Sequence, residues 1–513
     1  MLFNSFEFLL LFLPLTLLVY YRLSNVRLAL AWLSVASLVF YGYWNPVYLG
    51  LILASVLANF GLGRLIAGAR GRRQYWLTAL SIALNLGVLG YYKYANFFVR
   101  EAAALTGRDW SIDAIVLPLA ISFFTFQQIA YLVDAKQGKV PPHGLLEYLL
   151  FVTFFPQLIA GPIVHPGDVL PQFRDLENQR RAMGLLSVGL SIFIIGLFKK
   201  VAIADQLALY AIPVFDAARA GTTLSFAEAW GGTLAYTLQL YFDFSGYSDM
   251  AIGLGKMFGV TLPVNFASPY RARSIIDFWR SWHITLSNFL RDYLYIPLGG
   301  NRFGTFARYR NLFLTMFLGG LWHGAGWTFA AWGGLHGIYL IVNNLWRRTP
   351  VHARFAGRRA YNGAAWVLTL LCVIVGWVFF RAESFEAAIS MLASMSGLNG
   401  VVLPNFLEPL LGRLLGASAF GGLFPNIVEP NVPLGWWSIF PLLLVTGAWA
   451  LFAPNVFEIF HGHLTAGFNA RVPYRPSPIL WRPGKAWAAA CGLMLAYCLM
   501  SLGSPSEFLY FQF

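Results

Sequence analysis

Leu321-Trp322-His323-Gly324-Ala325-Gly326-Trp327 places a lone histidine in a glycine-broken turn between two apolar runs, and its reading decides the fold. Arg308 and Arg310 precede the first run, Asn311 to Trp322; the second, Trp327 to Leu345, returns to Arg347, Arg348, Arg354, Arg358 and Arg359. Short cytoplasmic loops carry the excess of Lys and Arg in membrane proteins, so both flanks read as cytoplasmic. The sequence therefore predicts a helical hairpin with His323 at its apex. At 1.5 Å per residue, the roughly twelve residues of the first run rise about 18 Å, against about 30 Å of hydrocarbon. That length predicts an apex that stops inside the membrane. An imidazole there needs a packing partner or a chemical task, since burying an unpaired polar group costs about 1–3 kcal/mol.

The rest of the chain has the same character. Of its 513 residues 58% are hydrophobic and only 11% charged, more apolar surface than a soluble fold can hide, and apolar segments of near-spanning length recur from end to end. They are continuously apolar, with no inward and outward alternation, which excludes a transmembrane β-barrel. The expected fold class is an all-α polytopic membrane protein, about a dozen transmembrane or re-entrant helices forming a single domain over 1–513. The net charge of +14 lies in short loops and reports topology rather than nucleic-acid binding. Cys372, Cys491 and Cys498 sit in apolar segments without C-x-x-C spacing, so neither a disulfide framework nor a metal site is expected.

Met1 to Tyr20 lacks the cationic start of a cleaved signal peptide and reads as a retained first span. Further spans are expected near 28–44, 47–66, 75–98, 112–134, 145–163, 226–258, 361–380, 437–457 and 486–503. Charge alternation, led by Arg64, Arg70, Arg72 and Arg73, puts both termini and a proline-containing stretch near 382–436 on the outer side, the latter as a docking surface for a partner. Mixed charges over 165–225 leave the sidedness there open.

Three stretches depart from plain spans. Phe155-Pro156-Gln157-Leu158-Ile159-Ala160-Gly161-Pro162 breaks a helix at membrane depth, which is tolerated where backbone lines a cavity or is buried in protein. Tyr241-Phe242-Asp243-Phe244-Ser245-Gly246-Tyr247-Ser248-Asp249 puts two carboxylates in a span; Asp243 and Asp249 are either paired for helix packing or tunnel-lining. Asp277 to Tyr293, wound as one helix, aligns Arg280, His283, Ser287 and Arg291 on one side and Phe278, Trp282, Leu286, Phe289 and Tyr293 on the other. Such a helix is too polar to span and reads as interfacial or re-entrant.

His283 and His323 thus stand on unusual elements, two of only eight histidines. A catalytic histidine needs a partner that fixes its tautomer, and apolar surroundings keep the ring neutral and able to accept a proton. No third or fourth metal ligand falls at helical spacing, and serine-hydrolase and P-loop signatures are absent.

The series Phe-Pro-Gln-Leu-Ile-Ala-Gly-Pro (155–162), Tyr-Phe-Asp-Phe-Ser-Gly-Tyr-Ser-Asp (241–249), Phe-Trp-Arg-Ser-Trp-His (278–283), Arg-Asp-Tyr-Leu-Tyr-Ile-Pro-Leu-Gly-Gly-Asn-Arg (291–302) and Gly-Leu-Trp-His-Gly (320–324) resembles the membrane-bound O-acyltransferase (MBOAT) superfamily. More narrowly it is similar to the membrane subunits of bacterial exopolysaccharide O-acetylation, that of alginate among them. The closing Phe508 to Phe513 also looks like the native end of that branch. The resemblance implies that His323 is the essential intramembrane histidine, as general base or transient acetyl carrier. His283 is the second family histidine, positioning the donor or shuttling a proton, and Trp322 lines the tunnel. It further implies an inner-membrane enzyme with no tightly bound cofactor and acetyl-CoA as cytoplasmic donor, whose phosphates Arg280, Arg291 and Arg302 are placed to attract, with lipid anchoring and topology as the competing use of these arginines. The implied partner is a periplasmic SGNH-type, esterase-like acetyltransferase within a polysaccharide biosynthesis complex. The alternatives are transfer of another acyl group, such as D-alanine to teichoic acid, and a transporter or flippase, which also uses broken helices but for which no internal repeat is visible.

Overall fold

The computed structural model describes residues 1–108, 110, 112–113, 115–176, 184–400, 407–415, 432, 436–464, 472–503 and 509, and among these there is no strand. The expected outer stretch near 382–436 lies partly outside the described residues, as does most of the closing segment. The chain opens with a π-helical turn, Glu7–Phe12, continuous with α1 (Leu13–Arg22), then α2 (Val26–Gly42), α3 (Val47–Gly68), α4 (Gly71–Thr106) and α5 (Ile121–Lys136). The next helix, α6 (Leu145–Thr153), ends shortly before Pro156, and the short turn Phe155–Leu158 and a helix over Pro166–Arg174 follow. Ser37 accepts the Phe155 N–H, and the Gln157 side chain donates to the Phe151 carbonyl, so part of the broken backbone is satisfied inside the protein.

The centre is a pair of long helices, α7 (Gly184–Arg219) and α8 (Phe226–Met257). α8 is buried along nearly its whole length, its polar side chains included, as a helix enclosed by others must be. A Cβ on Gly189 would stand 2.6 Å from the Gly253 carbonyl oxygen, and one on Gly196 2.5 Å from that of Gly246. These four small residues let the two backbones meet along an antiparallel seam. Below the seam α7 loosens into a π-turn, Lys199–Ala204, which turns two lysines inward. Lys199 Nζ lies 2.6 Å from Asp249, and Lys200 Nζ 2.6 Å from Asp243 and 2.7 Å from Asp205. The two carboxylates of α8 are therefore spent on helix pairing. Neither lines the two cavities described below.

Beyond α8, α9 (Ile275–Trp279) and α10 (Ile284–Leu290) lead to a π-turn, Arg291–Tyr295. The hairpin follows as α11 (Gly304–His323) and α12 (Trp327–Trp346), then α13 (Arg359–Arg381), α14 (Phe385–Met395), α15 (Trp436–Phe452) and α16 (Lys485–Ser501). Among the described residues three helices meet both the length and the apolarity that a membrane crossing needs: Val47–Gly68, Gly184–Arg219 and Arg359–Arg381. Others of spanning length, such as α4, α8 and α12, carry polar residues turned into the protein. The molecule is an all-α polytopic membrane protein.

The hairpin corrects one expectation. Its first arm is 20 residues long and begins at Gly304, because Arg308 and Arg310 continue the helix. Arg308 reaches Asn344 Oδ1 at 2.6 Å and Arg310 bonds Asn311 Oδ1 at 3.0 Å, while the Asn311 amide holds the carbonyls of Leu298 and Gly300. An arm of that length rises about 30 Å. Packing, not a short arm, is what secludes His323.

Candidate active site

His323 is the last residue of α11, and Gly324 and Gly326 turn the chain in extended conformation into α12. The two arms touch backbone to backbone: a Cβ on Gly320 would stand 2.4 Å from the Phe329 carbonyl, and one on Gly333 2.4 Å from that of Met316. A Cβ on Gly324 would enter the Phe329 ring, at 2.1 Å. The turn is thus closed against larger residues. The His323 side chain is buried, with the rings of Trp322, Trp332 and Phe380 centred 4.9, 5.1 and 5.2 Å away and presented edge to face.

His283 does not lie on a continuous amphipathic helix. The expected helix over 277–293 breaks at this residue, which adopts a left-handed φ of 42° as the N-cap of α10. A left-handed conformation at a non-glycine residue is costly and persists only where surroundings dictate it. Here Asn265 dictates it. Its main-chain carbonyl accepts the Ile284 N–H at 3.0 Å, and its Oδ1 accepts from the Thr285 N–H at 3.2 Å and the Thr285 hydroxyl at 2.9 Å. The Thr285 N–H can only donate, so it fixes the Asn265 oxygen on that side. His283 Nδ1, 3.1 Å from the same oxygen, must then carry the proton, which leaves Nε2 as the acceptor of the neutral ring. The break also separates the predicted polar stripe: His283 is fully buried, while the Arg280 side chain is 65% exposed.

The two histidine rings are brought to 6.5 Å between centroids. Two cavities lie beside them, one lined by the residues that follow His283 and the other by His323 itself. One, about 720 Å³, is lined by Ile163, Arg280, Ile284, Thr285, Ser287 and Arg291 among others. The other, about 40 Å³, is lined by Lys93, Ile159, Phe123, Trp322 and His323 among others. The broken segment runs between them, Ile163 at the first and Ile159 at the second, and the Ile163 N–H donates to Thr285 Oγ1 at 3.0 Å. Arg280 and Arg291 both reach the larger cavity, but Arg291 is held in a two-bond fork by Asp292 at 2.7 and 2.8 Å. Arg302 is exposed and stands outside that lining. His165 lines the larger cavity, and its Nδ1 sits 3.0 Å from the hydroxyl of Tyr293, which donates to Asp134 at 2.9 Å.

A profile of the MBOAT, membrane-bound O-acyltransferase family, matches residues 133–384, which contain both histidines. The "Peptidoglycan O-acetyltransferase" of Helicobacter pylori is 45% identical over 434 residues, 79% of this chain and 81% of the relative. The "Probable alginate O-acetylase AlgI" of Azotobacter vinelandii is 41% identical over 526 residues, spanning 100% of both chains. The chain belongs to the membrane-bound O-acyltransferase family. It is an acyltransferase, and the transporter alternative falls. The "Teichoic acid D-alanyltransferase" of Streptococcus thermophilus is more distant, 28% identical over 238 residues, 45% of this chain and 57% of the relative.

In this acyltransferase several residues at the site are ones that motif reading passed over. Asn265, Trp332 and Phe380 carried no signal beyond their apolar or polar type. His336, fully buried, accepts from Trp279 Nε1 at 3.2 Å and faces the Trp332 ring, a layer behind His323. Lys93 did carry a signal, since a lone cation in an apolar segment is expensive and is by default functional or paired. Among the described residues no cluster of three or more metal-ligating side chains occurs.

Proposed function

We propose that this protein is an inner-membrane O-acetyltransferase. In this reading it moves acetyl groups from acetyl-CoA in the cytoplasm toward an acceptor on the outer side, for O-acetylation of an exopolysaccharide such as alginate. The observation that carries it is the pair His283 and His323, 6.5 Å apart, with His323 lining a small cavity and the residues after His283, Ile284 and Thr285, lining a large one that two arginines reach. The names of the relatives matched over most or all of their length support acetyl over D-alanyl as the group carried.

The chemistry assigned to these residues is acyl transfer. His323 takes the proton of the attacking hydroxyl, the new O–C bond forms at the acetyl carbonyl, and the C–S bond of the thioester breaks. The coenzyme leaves as its thiol with the proton that His323 accepted. Dry, aromatic walls favour a neutral imidazole as the base. His283, whose Nδ1–H is tied to Asn265, offers Nε2 to position the donor or relay the proton. Arg280 and Arg291 attract the coenzyme phosphates, an interaction for which guanidinium is suited by its several donors. Charge alternation puts both termini on the periplasmic side. A periplasmic SGNH-type, esterase-like acetyltransferase, within a polysaccharide biosynthesis complex, is the partner that completes transfer to sugar hydroxyls, with the stretch near 382–436 as its docking region.

His323→Ala tests the reading. Ester-linked acetate on the secreted polymer is expected to disappear while the variant inserts and accumulates normally; wild-type acetylation in that variant removes the assignment.

A further inference from the structure

A helix that ends in a reacting group has a mechanical difficulty: its last four carbonyls lack helical donors. The usual remedy, a left-handed residue just beyond the end, is absent from α11, since Gly324 is extended at φ −159°. The donors come instead from α4. Tyr94 donates its hydroxyl to the Leu321 carbonyl at 2.6 Å, and Lys93 donates to the carbonyls of Trp322 and of His323 itself, the latter at 3.1 Å. The third Lys93 bond runs to Ser122 Oγ at 3.4 Å. No carboxylate is among these partners. The ammonium therefore faces the negative end of a helix dipole, an arrangement that stabilises the helix end. It also lines the smaller cavity beside His323.

We propose that Lys93 is the positioning residue of His323. The rest of α11 is held by the Gly320 and Gly333 contact with α12, so the lysine acts on the final turn alone, where the ring is attached. The inference rests on the reading of His323 as the reacting base. Without the ammonium, the last two carbonyls lose their donors in an apolar setting and the terminal turn relaxes. A shift of about 1 Å in a reacting group costs on the order of 100-fold in rate.

The test uses the full chain in inverted inner-membrane vesicles of the producing cell, reading release of coenzyme thiol from added acetyl-CoA. Lys93→Met is expected to lower the rate at saturating acetyl-CoA by about tenfold or more, with the KM for acetyl-CoA changed by less than about twofold. Lys93→Arg, which retains several donors, is expected to recover a measurable part of that loss. An unchanged rate in Lys93→Met overturns the proposal, as does a change in KM alone. So does a Lys93→Arg variant as inactive as Lys93→Met when both melt at lower temperature than wild type, the mark of a merely structural lysine. His323→Ala is measured in parallel. Full activity there overturns the reading of His323, whereas an inactive His323→Ala beside a fully active Lys93→Met overturns only the role of Lys93.

Discussion

The imidazole of His283 stands 6.5 Å from that of His323, the rings tilted by 57°, although one caps the start of a short helix and the other ends a long one. Two local devices hold this pair. Asn265 fixes the tautomer and backbone of His283, and the hairpin glycines with α4 fix the end of the His323 helix.

Asn265→Ala removes the acceptor shared by His283 Nδ1, the Thr285 N–H and the Thr285 hydroxyl. The expected outcome is a fall in saturating rate on the order of 10- to 100-fold, since the left-handed turn and the ring tautomer both lose their anchor. Coenzyme-thiol release in vesicles checks it, and Asn265→Asp, which keeps an acceptor oxygen, is expected to lose less.

The Arg280→Ala, Arg291→Ala double variant is expected to raise the KM for acetyl-CoA by about tenfold or more at low salt, because charge-assisted bonds to a phosphate are each worth about 1.5–3 kcal/mol. Screening narrows the difference as ionic strength rises. Arg302→Ala, outside the cavity lining, is expected to leave KM unchanged. An unaltered KM in the double variant removes the larger cavity as the donor site.

Lys199→Met strands the Asp249 carboxylate in the α7–α8 interface, where the paired side chains are 6% and 12% exposed. Breaking a buried pair in this way costs about 3–5 kcal/mol, read as a lower melting temperature in detergent. Replacing both partners, Lys199→Met with Asp249→Leu, is expected to recover most of the stability and to retain transfer activity. Restored stability with lost activity would instead return Asp249 to the reaction path.

Gly333→Ala drives a methyl group to 2.4 Å from the Met316 carbonyl and prises the hairpin open. Overpacking of this kind costs about 1–3 kcal/mol, and because His323 rides on the opposite arm, transfer falls with it. Gly334→Ala, whose nearest neighbours stand at 3.8 Å, is the control and is expected to be near wild type in both melting temperature and rate.

Much of the fold was legible because apolar length and loop charge are local properties. The expected spans near 28–44, 47–66, 361–380 and 486–503 correspond to Val26–Gly42, Val47–Gly68, Arg359–Arg381 and Lys485–Ser501. Reading failed where a polar side chain found a partner far away in the chain. Arg308 looked like a loop residue because its partner Asn344 lies on the other arm, and the helix over 277–293 looked continuous because Asn265, which breaks it, belongs to a preceding segment.

What the sequence determined by itself is an all-helical membrane protein of the acyltransferase family, with His323 at a hairpin apex and His283 on a second unusual element. Those features follow from hydrophobic run length, arginine placement and short motifs. Tertiary structure alone decided that the two rings approach each other, that Asp243 and Asp249 pair with Lys200 and Lys199, and that Lys93 holds the carbonyl end of the His323 helix. The reason is physical: in a low-dielectric interior every buried polar group must find a partner, and which partner it finds depends on how helices distant in sequence pack.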